Sequence, residues 1–244
     1  MPGQRYSFAV LGRVAVAVAL LVASGCAAWR IGDARELTQR GEPLQQSPPD
    51  PVHRLLIVGD STGVGTGASS PANSLAGLIA RDHPHLQIAN RARDGATFAD
   101  VVEQLSGGEC HDVILVLAGG NDVIRLRPLA DVRADIDHAV SLASARAGYV
   151  VLMPAGNVGN ARLFAPPVSW LMTARSRALH DLVRAAAWRH QAAYVNLFLD
   201  TGADPFVADP GLTAADGLHP SDAGYQLWYR ELLAQTDFAT RLHH

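Results

Sequence analysis

The sequence predicts an α/β fold in which one five-stranded parallel sheet is covered by helices on both faces, a three-layer α/β/α arrangement. Five short apolar runs recur along the chain, and such runs are typical of strands that are buried on both faces. Segments with helical periodicity alternate with them, which indicates parallel strands joined by right-handed crossovers. The 244 residues, 48% of them hydrophobic, suffice for one domain of this kind.

Three strands and two helices are predicted in the first half of this domain. Leu55–Val58 and Val113–Leu117 are uninterrupted apolar runs, so both are expected inside the sheet. Leu86–Asn90, between them, is a shorter run. The helices predicted at Asn73–Asp82 and Phe98–Leu105 carry apolar residues at helical spacing.

Three helices and two strands are predicted in the second half. The helices are Asp131–Ala147, Ser169–His190 and Ser221–Gln235, and the first and last of them place their apolar residues on one face. The strands that alternate with them are Tyr149–Met153 and Tyr194–Phe198. The second half therefore continues the strand–helix alternation of the first.

The N-terminal residues 1–25 have the layout of a secretory signal. Arg5 and Arg13 precede an apolar core at residues 14–23, and small residues then lead to Cys26. The segment also resembles a bacterial lipoprotein signal, in which the cysteine is lipidated and becomes the first mature residue. The apolar core is short for a transmembrane helix, which needs roughly 20 residues. An uncleaved anchor and an ordinary cleaved signal are the alternatives.

Three segments follow: a signal at 1–25, a tether at 26–53 that is rich in Pro and Gly, and a domain at 54–240. We expect an exported protein of the cell envelope, held to the membrane by an N-terminal lipid anchor and facing the periplasm or the cell exterior. With Cys26 lipidated, no intramolecular disulfide is available to Cys110, which is expected to be a small buried residue.

The charged residues exclude several classes of chemistry. All 20 basic residues are Arg, and the absence of Lys rules out a Walker-type phosphate loop, Schiff-base catalysis and Ser-x-x-Lys acylation. The net charge of −3 and the lack of a basic stripe indicate that the chain does not bind nucleic acid.

Four short motifs fall in the loops that follow the predicted elements or, for the last, precede the final helix. They lie at the carboxyl edge of the sheet or its equivalent, so one crevice can collect them. The motifs are Gly59-Asp60-Ser61, Asn90-Arg91-Ala92-Arg93-Asp94-Gly95, Gly119-Gly120-Asn121-Asp122 and Asp216-Gly217-Leu218-His219-Pro220.

The side chains of these motifs are chemically complementary. A serine hydroxyl needs a neighbouring base to become a nucleophile, and His219 can supply one to Ser61. Asp216, three residues before His219, can hold the imidazole in one tautomer. The backbone N–H groups of Ser61 and Gly95 and the side-chain amide of Asn121 can stabilise an oxyanion. A helix cap at Ser61 is the simpler alternative.

Together and in this order, the four motifs resemble those of the SGNH (GDSL-like) hydrolases, a lipase and acylhydrolase family, over residues 54–235. The resemblance implies a flavodoxin-like sheet and serine esterase chemistry without a metal or organic cofactor. It also implies a triad of Ser61, Asp216 and His219, and an oxyanion hole formed by Ser61, Gly95 and Asn121. Thr62 stands where the motif that names the family has Leu.

The substrate is expected to be a small-molecule, lipid or glycan ester. Residues 155–168 form a long connection after the fourth strand, and a connection of this length usually has a function. Phe164 in it and Trp170 just after it are candidate substrate contacts. Two alternatives to an esterase are an acyltransferase that acts on cell-envelope glycans and a non-catalytic envelope lipoprotein.

Overall fold

Five parallel strands form one sheet in the computed structural model, which describes residues 42–242. Their order across the sheet is β2-β1-β3-β4-β5, the order of flavodoxin-like folds. The predicted fold class is therefore confirmed. The strands are β1 (His53–Gly59), β2 (Leu86–Asn90), β3 (His111–Leu117), β4 (Ala147–Leu152) and β5 (Ala193–Tyr194).

Helices cover both faces of this sheet and give two apolar cores, one on each face. The helices are α1 (Ser61–Val64), α2 (Leu75–Asp82), α3 (Phe98–Gln104), α4 (Gly120–Ile124), α5 (Leu129–Ser144), α6 (Val168–His190), α7 (Pro205–Ala208), α8 (Asp222–Gln235) and α9 (Phe238–Arg241). The first core contains buried residues of α3, α5 and α6, and the second contains those of α2, α8 and α9.

The central strands supply both cores because successive side chains of a strand point to opposite faces. In β1, Leu56 and Val58 belong to the first core, whereas Leu55 and Ile57 belong to the second. All four are at most 2% exposed. This double burial explains why β1 is an uninterrupted apolar run rather than an alternating one.

The fifth strand is shorter than the predicted Tyr194–Phe198 and spans only Ala193–Tyr194. Val195 still donates its N–H to the carbonyl of Leu152. The N–H of Asn196 instead binds the side chain of Gln235, at 2.8 Å, so the chain leaves the sheet there. A side chain that is 39 residues away ends the strand, which the local sequence does not reveal.

The described part of the predicted tether lies along the edge of the sheet. Gln46 forms an antiparallel bridge with Ile88 in β2, through backbone hydrogen bonds of 3.1 and 2.8 Å. The side chain of Gln45 binds both backbone groups of Asn90. The segment thus covers the free edge of β2, which would otherwise expose unpaired backbone groups.

Several sequence expectations concern residues outside 42–242. The signal at 1–25, the lipidation site at Cys26 and the tether up to residue 41 lie outside the described residues. Within 42–242, no helix combines the length and the apolar character needed to cross a membrane. The expectation for Cys110 was wrong, because its side chain is exposed in the loop before β3.

The carboxyl end of β1 passes unusually close to β3 at Gly59. A Cβ atom at this position would lie 1.9 Å from the carbonyl oxygen of Leu117, and the φ angle of +144° disfavours other residues. The side chain of Gln104 satisfies both backbone groups of Gly59, at 2.6 and 2.9 Å. Asp60 then donates its N–H to the Leu117 carbonyl at 2.8 Å, which fixes where the next residue, Ser61, begins.

We expect Gly59→Ala to lower the free energy of unfolding by about 3 kcal/mol or more, because the new methyl group forces β1 and β3 apart. Chemical denaturation monitored by circular dichroism measures this change. Gly108→Ala is the matched control, since nothing lies within 4 Å of a Cβ placed there. Equal stability of the two variants would contradict the role assigned to the close crossing.

Candidate active site

The four polar motifs meet at the carboxyl edge of the sheet, around one cavity. Ser61 follows β1, Gly95 follows β2, Asn121 follows β3, and His219 precedes α8. All four line the cavity. Asp216 lies behind His219 and is buried, with 3% of its surface exposed. The structure therefore brings together the candidate catalytic residues, although up to 158 positions separate them in sequence.

Ser61 is held at the first position of the short helix α1. Asp60 is the N-cap, and its carboxylate accepts hydrogen bonds from the backbone N–H and the hydroxyl of Thr62, at 2.9 and 2.7 Å. Gly65 ends the helix in a left-handed conformation. Asp60, and not Ser61, therefore caps α1. The hydroxyl of Ser61 is available to another partner.

That partner is His219, whose Nε2 lies 2.8 Å from Oγ of Ser61. On the other side of the ring, Nδ1 lies 2.5 Å from the carboxylate of Asp216. An ionised carboxylate can only accept, so Nδ1 carries the proton and Nε2 accepts from the serine hydroxyl. Asp216, His219 and Ser61 thus form one hydrogen-bonded chain that ends at the cavity.

Asp216 is built to stay ionised despite its burial. Burial alone raises the pKa of a carboxyl, but the hydrogen bond and electrostatic attraction of His219 and the backbone N–H groups of Leu218 and His219 outweigh it. The pKa of Asp216 is consequently lowered from its usual value. The two backbone bonds measure 2.9 and 3.1 Å and form within the tight turn that carries both side chains.

Three candidate donors for an oxyanion belong to residues that line the cavity: the backbone N–H groups of Ser61 and Gly95 and the side-chain amide of Asn121. Within residues 42–242, no acceptor pairs with the backbone N–H of Ser61 or Gly95, and both residues line the cavity. Gly95 adopts a φ angle of +75° in a turn closed by the Ala96 N–H and the Arg93 carbonyl. The Asn121 amide donates one hydrogen to the Ala96 carbonyl at 3.0 Å, and its second hydrogen is available to the cavity.

The turn that carries Gly95 is braced from two sides by residues that sequence reasoning did not identify. Arg125 donates to the Gly95 carbonyl at 2.7 Å. On the other side, the hydroxyl of Thr66 donates to Asp94 at 2.7 Å, and burial raises the pKa of that carboxyl. The available signal for Arg125 was its position four residues, about one helical turn, after Asn121.

Asp122, beside Asn121, has a structural role. Its buried carboxylate accepts from the Phe98 backbone at 3.1 Å and from Arg127 at 2.8 Å. Burial raises its pKa, although these two bonds oppose the change. Asp122 thereby ties the start of α3 to α4 and holds the motif that contains Asn121.

The cavity has a volume of about 780 Å³ and is lined mainly by apolar side chains. Phe164 is one of them, as the sequence suggested, but Trp170 is not. The side chain of Trp170 is 69% exposed on the outer surface of α6. The expectation for Trp170 is corrected because the inward positions of the helix belong to other residues, such as Met172 and Ser176.

Comparison with known proteins identifies both a family and a fold. A family model described as GDSL-like Lipase/Acylhydrolase matches residues 57–227, which include all the candidate catalytic residues. No curated protein matches the chain.

Solved structures with the same fold include three hydrolases of low sequence identity. A lipase/acylhydrolase from Enterococcus faecalis is 20% identical with a TM-score of 0.59, covering 75% of this chain and 94% of its own. An extracellular lipase from Streptomyces rimosus is 18% identical with a TM-score of 0.57, covering 76% and 100%. An acetylxylan esterase from Geobacillus stearothermophilus, solved as a catalytic mutant, is 20% identical with a TM-score of 0.55, covering 76% and 94%.

Proposed function

The chain belongs to the GDSL-like lipase/acylhydrolase family, and we propose that it is a serine esterase that cleaves carboxylic esters through an acyl-enzyme on Ser61. The hydrogen-bonded chain from Asp216 through His219 to Ser61 is the observation that carries this proposal. It favours catalysis over a non-catalytic binding protein, because a binding site has no need of a nucleophile, a base and an orienting acid in sequence.

The geometry supports a two-step reaction. In the first step, Oγ of Ser61 attacks the ester carbonyl carbon while Nε2 of His219 takes the hydroxyl proton. The resulting imidazolium is stabilised by the ionised Asp216. The bond between the carbonyl carbon and the alcohol oxygen then breaks, and His219 returns the proton to the leaving alcohol. In the second step, His219 takes a proton from water while the water oxygen attacks the acyl carbon. The bond between that carbon and Oγ of Ser61 then breaks, the acid leaves, and His219 returns the proton to Oγ.

Negative charge develops on the carbonyl oxygen in both steps. The N–H groups of Ser61 and Gly95 and the Asn121 amide are the donors we assign to it. Donors that are already fixed need no reorganisation when the charge appears, and each contributes on the order of 3 kcal/mol in comparable sites. The bonds from Arg125 and Thr66 to the turn of Gly95 support this fixed arrangement.

We further propose that the protein is an exported lipoprotein of the cell envelope, anchored through Cys26. This proposal depends on the sequence of residues 1–26 alone. The partners implied are a small-molecule or lipid ester in the cavity and a membrane at the N-terminus.

Replacing the nucleophile tests the mechanism. We expect Ser61→Ala to reduce kcat on short p-nitrophenyl esters by several orders of magnitude, because the oxyanion donors alone retain only a small part of the catalysis. Ser106→Ala, an exposed serine, is the matched control and should keep full activity. Mass spectrometry with a fluorophosphonate should find the label on Ser61. Undiminished turnover in Ser61→Ala would overturn the proposed function.

Arg125 tests whether the oxyanion turn is held from outside. We expect Arg125→Met to lower kcat roughly tenfold with little change in KM, because a hydrogen bond to a charged group contributes about 1.5–3 kcal/mol. Arg133→Met, an exposed arginine on α5, is the control. A lower affinity at unchanged kcat would show that Arg125 contacts the substrate rather than positioning Gly95.

Cys26→Ser tests the lipid anchor. We expect the variant to leave the membrane fraction or to accumulate as an unprocessed precursor, because serine offers no thiol for lipidation. Fractionation and immunoblotting of expressing cells measure both outcomes. Normal processing together with an unchanged membrane fraction would refute lipidation at Cys26.

A further inference from the structure

The cavity has two apolar walls, and they come from opposite faces of the sheet. Ile124, Val158 and Phe164 form the α4 wall and pack with the first core, which contains α3, α5 and α6. Leu197, Phe206 and Trp228, together with the adjoining Leu227, form the α8 wall, and the first three of these pack with the second core. The cavity therefore crosses the carboxyl edge of the sheet, and Ser61 lies at this edge.

The catalytic groups are divided between the two walls. Asn121, a donor for the oxyanion, lies on the same five-residue helix as Ile124. His219 lies two residues before Ser221, the N-cap of α8, and α8 carries Leu227 and Trp228. The oxyanion donor and the base thus approach the serine from different sides. In an ester bound at Ser61, the leaving oxygen must lie within hydrogen-bond distance of Nε2 of His219 to receive its proton.

We infer that the α8 wall binds an apolar alcohol and that the α4 wall binds the acyl chain, so that the substrate carries hydrocarbon on both sides of the ester bond. The inference rests on the proposed function. It assigns the leaving group to the side of His219, and the leaving group then departs along α8. A fatty-acyl ester of an apolar alcohol fits this arrangement, whereas an acetate ester of a sugar leaves both apolar walls unused.

Two of the polar side chains that line the cavity, Asn157 and Asn160, already have partners, so fewer of their groups are available to a sugar. Asn160 donates to Asp204 at 2.7 Å, and Asn157 donates to the Leu199 carbonyl at 3.2 Å. Sugar hydroxyl groups that lie against the apolar walls would lose the hydrogen bonds they make in water, which costs free energy.

The far end of the α8 wall is polar, because Glu231 and Gln235 line the cavity beyond Trp228 on the same helix, and this limits the length of an apolar alcohol. The side-chain amide of Gln235 binds both backbone groups of Asn196, at 2.8 and 3.2 Å, and joins the end of α8 to the segment after β5. The apolar part of the wall ends earlier, at Glu231, and from Leu227 to Glu231 the helix rises about 6 Å, given 1.5 Å per residue. Alkyl chains that extend beyond Glu231 should gain no further binding.

Two ester series test the assignment. Alkyl acetates vary the alcohol at constant acyl group, and methyl alkanoates vary the acyl chain at constant alcohol. For the unaltered protein we expect kcat/KM to rise roughly two- to fourfold per methylene in both series, as apolar surface is buried. In the acetate series the rise should stop once the alkyl chain reaches Glu231.

Matched variants separate the walls. Leu227 and Ile124 are both half-buried cavity residues, one on each wall. We expect Leu227→Gln to lower kcat/KM for the longest alkyl acetates at least tenfold, so that kcat/KM no longer rises along the acetate series. The rise along the alkanoate series should persist. Ile124→Gln should abolish the rise of kcat/KM with chain length in the alkanoate series only. Trp188→Gln, on a side chain that is 86% exposed, should change neither slope.

The outcomes distinguish this inference from the function on which it rests. The α8 assignment is overturned if kcat/KM does not rise along the acetate series in the unaltered protein. The esterase proposal still stands in that case, provided that ester turnover is measurable. Loss of the chain-length dependence of the alkanoate series in Leu227→Gln overturns the α8 assignment as well. If a variant fails to fold, the two ester series measured on the unaltered protein still test the assignment. Turnover that persists in Ser61→Ala instead overturns the proposed function.

Discussion

The close contact between Gly59 and the Leu117 carbonyl is the constraint on which the site depends. At this point the backbone of Gly59 is bound from outside the sheet, because Gln104 in α3 binds both its N–H and its carbonyl, and the Arg93 N–H also donates to the carbonyl at 3.0 Å. The next N–H, that of Asp60, binds the Leu117 carbonyl, and the Asp60 side chain then starts α1. The position of Ser61 is thus set by the geometry of the central strands rather than by a flexible loop, which is what a preorganised nucleophile requires.

The carboxyl groups near His219 differ in ways that give them different roles. Burial raises the pKa of Asp60 to about 6 and also raises that of Asp94, while hydrogen bonds from Thr62 to Asp60 and from Thr66 to Asp94 oppose these changes. Asp216 alone of the three has a lowered pKa. The environment therefore separates one carboxylate that stays ionised beside the imidazole from two that cap or brace the surrounding loops. Such a separation between neighbouring titratable groups assigns their chemical roles without reference to sequence.

The sequence was sufficient for the parts that depend on local pattern. β2 was predicted to the residue, and the motif residues Ser61, Gly95, Asn121 and His219 do surround one cavity. The features that were not predicted have both long-range and local causes. The side chain of Gln235 ends β5 early, and the short helices α1 and α4 contain glycines that carry no helical signal. Trp170 was wrongly predicted to contact the substrate, because an aromatic residue at a helix start does not show which face of the helix points to the cavity.

The division between fixed polar groups and apolar walls explains how one motif set can serve different substrates. The polar groups are held by backbone geometry at the sheet edge, through hydrogen bonds within turns and to neighbouring strands. Most of the apolar wall side chains pack with the two cores, and the hydrocarbon side chains of Ile124 and Leu227 cannot form hydrogen bonds with the candidate catalytic residues. A change of wall residue therefore alters the shape of the cavity without displacing Ser61 or His219. If the chain is the esterase proposed above, its substrate choice follows from which side chains line the two walls, and walls on opposite faces of the sheet let the acyl chain and the alcohol be selected separately.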